Sequence, residues 1–146
     1  MKYSFTKIDT DTTELAYKDK VFQIKRDVDL IKRLQGVSIT ARTNMMIDLS
    51  KQGISKKDLV IERKEGNKTY YDNSNLLEIE ESYYNQASID LIDELCKKYF
   101  NMGLIELIQE IELKENETEQ FGIDLMSAFS GLEKEKFPSI AKEESI

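Results

Sequence analysis

Residues 73–100 read NSNLLEIEESYYNQASIDLIDELCKKYF. Within them Leu76, Ile79, Tyr83, Ala87, Leu91, Leu95 and Tyr99 recur every three or four positions, which aligns them along one side of a helix. Tyr84, Ile92, Cys96 and Phe100 form a second row that widens the stripe. Asn73 or Ser74 supplies an N-cap, and Lys97 and Lys98 put positive charge at the negative end of the helix dipole. The spacing predicts one long helix as a spine, with a broad apolar side that other elements must cover.

Beyond the break Asn101-Met102-Gly103, the residues Leu104, Ile105, Leu107, Ile108 and Ile111 predict a further helix ending near Lys114. Another is expected from Asn116, where Glu119 completes a variant of the capping box ahead of Phe121, Leu125 and Phe129, with Gly131 as its stop. Residues 132–146 are charged, hold the single proline, Pro138, and are expected to form a flexible tail.

Upstream of the spine the pattern turns to strands. Lys2 to Ile8 alternates, and Leu15-Ala16-Tyr17 and Val21-Phe22-Gln23-Ile24 flank Lys18-Asp19-Lys20 as a tight hairpin would. Asp27 caps a short helix through Leu30, Ile31 and Leu34, which Gly36 ends. Val37 to Ala41 alternates like a strand while Met45, Met46, Ile47 and Leu49 suit a helix, so a helix is placed from about Ala41 to Gln52. Leu59-Val60-Ile61 and Thr69-Tyr70-Tyr71 form a second hairpin with Glu65-Gly66-Asn67 at its tip. The fold class is therefore α+β: N-terminal strands and a middle hairpin packed on a mostly helical C-terminal half, in a single domain over residues 1–131.

Composition bounds the function. The chain of 146 residues is 40% hydrophobic and 34% charged, which suits a packed domain. No run reaches the ~20 apolar residues of a membrane-spanning helix, and MKYSFTKIDTD lacks the apolar core of a signal peptide. With Cys96 as the only cysteine, the expected location is the cytoplasm of the cell that makes it, without membrane contact. The net charge is −7, but residues 1–70 hold fifteen Lys or Arg against ten Asp or Glu, and residues 71–146 six against eighteen. That asymmetry, +5 against −12, suits docking to a polar partner or head-to-tail oligomerisation, or reflects a solvated acidic face on the C-terminal helices; the −12 half opposes a polyanion such as nucleic acid, while the +5 half favours one.

Catalytic chemistry finds little to use. There is no histidine, so Ser-His-Asp and Cys-His machinery and the usual zinc ligand sets are excluded. Six scattered glycines form no phosphate-cradling loop. Asp9-Thr10-Asp11 opens like a calcium loop, but Glu14 and Lys20 occupy the positions that require Gly and Glu, so a turn is expected. Asp90, Asp93 and Glu94, and separately Glu106 and Glu110, share helix faces that read best as solvated. Ser139-Ile140-Ala141-Lys142 matches S-x-x-K without its companion motifs. Cys96 lies in the apolar row of the spine, as a buried thiol does. Neither an enzyme nor a cofactor is expected.

Two features point to binding. Arg63, Lys64 and Lys68 ring the tip of the middle hairpin after two short helices, the order found in winged-helix DNA-binding proteins. Tyr70, Tyr71, Tyr83, Tyr84, Met45 and Met46 offer the large adaptable side chains enriched at protein interfaces, although the same residue types also fill cores and for any one of them the core is the better expectation.

Taken in order, Leu15-Ala16-Tyr17-Lys18-Asp19-Lys20-Val21-Phe22-Gln23-Ile24, Met45-Met46-Ile47-Asp48-Leu49 and the helix Phe121 to Phe129 before Gly131 resemble the tail assembly chaperones of phages and prophages of low-GC Gram-positive bacteria. The likeness spans roughly residues 10 to 131. It implies a small acidic α+β protein that escorts the tape-measure protein, recruits tail-tube subunits, oligomerises on its client and has no catalytic residues. The basic middle hairpin departs from that pattern. The sequence thus leads to a non-enzymatic protein-binding assembly factor. A winged-helix DNA-binding regulator, or a small phage inhibitor of a host protein whose acidic half mimics nucleic acid, are the alternatives.

Overall fold

The computed structural model describes residues 1–131, so the expected tail and the Ser139 to Lys142 string lie outside the described residues. The chain is α+β and divides into two compact units, one formed by Met1–Gln35 with residues from Asp90 onward, the other by Gly36–Ile89.

The first unit opens with an antiparallel meander, β1 (Ser4–Lys7), β2 (Thr12–Tyr17) and β3 (Lys20–Lys25). Register pairs Phe5 with Leu15 and Leu15 with Phe22, so three apolar side chains form a cross-strand row. Strand β2 alternates, with Thr13, Leu15 and Tyr17 buried. The β2–β3 turn is only Lys18-Asp19, and Lys18 takes the left-handed conformation (φ +51°) in the place where a glycine would be easier. Asp9 builds the preceding turn by accepting the Asp11 N–H at 2.9 Å, the role expected of it.

Helix α1 (Val28–Gln35) begins where Asp27 Oδ1 accepts the Leu30 N–H at 2.8 Å, an N-cap as read from the sequence. The end of α3 (Ser74–Phe100), with α4 (Leu104–Ile111) and α5 (Glu115–Ser130), completes the unit. Its core contains Leu15, Ile24, Leu30, Leu95, Cys96, Phe100, Leu107, Phe121, Leu125 and Phe129, each at 0% exposure. Each large apolar member stabilises the fold by roughly 1.5–3 kcal/mol. Phe100 is edge-on to Phe22 at 5.6 Å, and Phe121 to Tyr3 at 4.9 Å.

Two helix ends differ from expectation. α4 stops at Ile111, because Glu112 turns left-handed (φ +63°) and returns its N–H to Ile108 and Gln109. α5 then starts at Glu115, and the capping carboxylate is Glu117, which accepts the Lys114 N–H at 2.9 Å. Asn116 and Glu119 therefore lie inside the helix. Gly131 ends α5 in the left-handed conformation (φ +74°), as predicted. A side chain there would also strike Arg26, whose Nε lies 2.8 Å from where a Cβ would stand.

In the second unit, α2 (Val37–Lys51) is followed by a 3-10 turn (Lys56–Leu59), the hairpin β4 (Ile61–Glu65) and β5 (Lys68–Asp72), and the first part of α3. Helix α2 begins four residues before its predicted start. Val37, Ala41, Met45 and Leu49 step by four and are all buried, so one helical face runs through the segment whose alternation suggested a strand. Leu59 belongs to the 3-10 turn, not to a strand, because Asp58 folds back to accept the Ser55 N–H at 2.8 Å. The hairpin turns through Gly66-Asn67 with Gly66 at φ +61°, the left-handed residue that a two-residue turn requires.

Candidate interaction surface

Helix α2 is apolar on two opposite sides. At about 100° per residue, Val37, Ala41, Met45 and Leu49 form one side, while Ile39, Met46 and Ile47 point away from it. The first side is buried; on the second, Ile39 is 67% exposed, Met46 46% and Ile47 47%. An apolar face normally signals burial, and only one of the two is covered. Along the exposed side lies a shallow depression of about 510 Å³, lined by Arg42, Thr43, Met46, Ile47, Ser50 and Lys51.

Charge frames this depression. Arg42 and Lys51 fall on opposite flanks of the exposed apolar stripe, about half a turn apart around the helix. Among the described residues neither makes an ion pair. The buried side is tied down by a polar contact, because the Tyr83 hydroxyl of α3 donates to Asp48 Oδ2 at 2.7 Å. That bond holds the Tyr83 hydroxyl above its ordinary pKa.

The side chains singled out in the sequence are thus separated. Met46 belongs to the exposed stripe, whereas Met45, 1% exposed, belongs to the core. Met45 and Met46 point about 100° apart, and at this place on α2 that turn carries the chain from the buried side to the exposed one. Tyr83 is engaged by Asp48, and Tyr84 is half-buried. Tyr70 and Tyr71 stand 48% and 69% exposed on the hairpin, but on opposite faces.

The hairpin cations are divided in the same way. Arg63 pairs across the strands with Tyr70, and Lys68 with Glu65, on one face; Lys64 pairs with Thr69 on the other. Arg63 also lies 3.5 Å from Asp72, whose carboxyl is held low chiefly by the Ser74 hydroxyl and N–H and secondarily by this guanidinium. No single basic patch results from Arg63, Lys64 and Lys68.

Three of the acidic residues weighed as metal ligands, Asp93, Glu94 and Glu110, have structural work. Asp93 Oδ1 accepts the Leu104 N–H at 2.8 Å and starts α4, and its other oxygen meets Lys97 at 3.1 Å. Glu94 pairs with Arg33 at 2.6 Å, and Glu110 takes Lys20 at 2.7 Å and the Tyr17 hydroxyl at 3.0 Å. Among the described residues no group of three such side chains converges to hold a metal ion. Burial, reinforced by Asp93, pushes the Cys96 thiol up to about 12, far from a reactive thiolate.

The exposed stripe of α2 was only half legible in the sequence. Met46 was named as a binding residue, and Arg42, Ile47 and Lys51 lay within the expected helix without being read as one side; Ile39 joins them only once α2 is extended back to Val37, which completes a second i, i+3/i+4, i+7/i+8 series. Comparison with protein-family models, with curated proteins and with solved structures finds no match. No helix among the described residues is long and apolar enough to cross a membrane.

Proposed function

We propose that this protein acts by binding another protein through the exposed side of α2. One observation carries the reading: Ile39, Met46 and Ile47 form an uncovered apolar stripe on a helix whose opposite side is fully used in the core. Solvent-exposed apolar side chains gathered on one side of a helix are costly unless a partner removes them from water, at ~25 cal/mol per Å². In its finer form, drawn from the resemblance to tail assembly chaperones, the client is a phage tape-measure protein, escorted in the cytoplasm of the host during assembly.

The DNA-binding reading has less support. A helix pair feeding a basic wing would need α1 and α2 in one unit, but they belong to different units, and the hairpin cations face two ways. Co-expression with a phage tape-measure protein tests the finer proposal. Co-purification and a gain in client solubility are expected, both lost in Met46→Glu/Ile47→Glu; neither effect in the wild type would refute it.

A further inference from the structure

We infer that the partner element seated on α2 is an acidic amphipathic helix; this rests on the protein-binding reading and names the chemistry of the partner. The exposed stripe repeats at positions 39, 42, 43, 46, 47, 50 and 51, the spacing at which a straight helix offers one side to another. From Ile39 to Lys51 it runs about 18 Å at 1.5 Å per residue, which three turns of a partner helix would cover. Its middle carries Ile39, Thr43, Met46 and Ile47, with the small Ser50 beyond them. Small residues at such positions let a partner backbone approach.

The flanks decide the charge. Arg42 lies at one edge of the stripe and Lys51 at the other, and neither forms an ion pair among the described residues. A helix whose apolar row enters the depression carries its own flanking side chains directly over these cations. Glu or Asp there forms two ion pairs at the rim, while Lys or Arg meets like charge on both edges. A nucleic acid backbone matches the cations but leaves the apolar middle unused, and a second copy of α2 places like charges together.

The test uses the purified protein and two synthetic helical peptides of about 18 residues, or five turns. Both carry Leu at i, i+3, i+4 and i+7; one has Glu on both flanks, the other Lys. The Glu peptide should bind at least about ten-fold more tightly, with affinity that falls as salt is raised. Met46→Glu should abolish binding, and Arg42→Glu/Lys51→Glu, which leaves the apolar row intact, should reverse the preference between the peptides.

Equal binding of both peptides, or binding insensitive to Met46→Glu, would overturn the inference. If Met46 were still required for capture of a client protein, the protein-binding reading would survive that result. Tighter binding of a peptide of residues 132–146, of a duplex oligonucleotide, or of a second copy of the chain detected by light scattering, would each assign the face to a different occupant and equally overturn it.

Discussion

Arg26 is a buried cation of the first unit. It is 8% exposed, and its guanidinium donates to Thr13 Oγ1 at 2.6 Å, to the Ala128 carbonyl at 2.9 Å and to the Thr10 carbonyl at 2.8 Å. The Ala128 carbonyl belongs to the last turn of α5, where the helix dipole is negative, so one cation joins the sheet to the end of a helix. Arg26→Met should lower stability by about 2–3 kcal/mol, because three acceptors lose a charged donor; a urea midpoint equal to wild type would refute this. Tyr3 makes a comparable link, donating to Asp124 at 2.6 Å, while Tyr17 donates to Glu110. Burial and these carboxylates raise both hydroxyls, Tyr17 to about 12 and Tyr3 further. A raised pKa in the folded state means that this stabilisation is whole below the ordinary value of 10.0 and is lost as pH climbs through the folded value. Alkaline unfolding should therefore begin above that value and coincide with the ultraviolet titration of these tyrosines; Tyr17→Phe should weaken the pH dependence. Neither the Arg26 nor the Tyr3 link to α5 was legible, because Ala128 and Asp124 lie more than a hundred positions away from them and local pattern carries no trace of such pairs.

At the scale of the element, α2 sets two neighbouring methionines against each other. Met45→Ala removes a 1% exposed core side chain and should cost about 2–5 kcal/mol. Met46→Glu alters a residue that is 46% exposed and should change stability by less than about 0.5 kcal/mol. Thermal melts of the two variants should differ by several degrees, and equal melts would mean that the two sides of α2 are misassigned. The long helix, its apolar rows, both hairpins and the glycine stop of α5 were readable because each depends on neighbours within a few residues. The start of α2 was not: Val37, Ile39 and Ala41 carry a strand-like alternation locally, and only the step of four continued to Leu49 outweighs it. The start of α5 was missed for a related reason, since Asn116 and Glu117 can both serve a helix N-terminus and geometry chose Glu117.

For the whole molecule, the sequence gradient of charge divides along the chain more simply than the fold does. The first unit joins the basic N-terminal stretch to the acidic C-terminal helices, and ion pairs such as Lys2 with Glu117 at 2.8 Å and Lys20 with Glu110 consume part of the contrast. What is left unpaired on α2 is therefore more informative than the total of −7. The account stands on that uncovered, cation-flanked stripe being a protein-binding surface. Site-specific photo-cross-linking tests it most directly, with a photoreactive residue at position 46 and a control at exposed Lys7, in cells that hold the native partners. The account predicts a discrete protein adduct from position 46 that disappears with Ile47→Glu and is absent from position 7. No adduct at 46, or the same adducts from both positions, would contradict it.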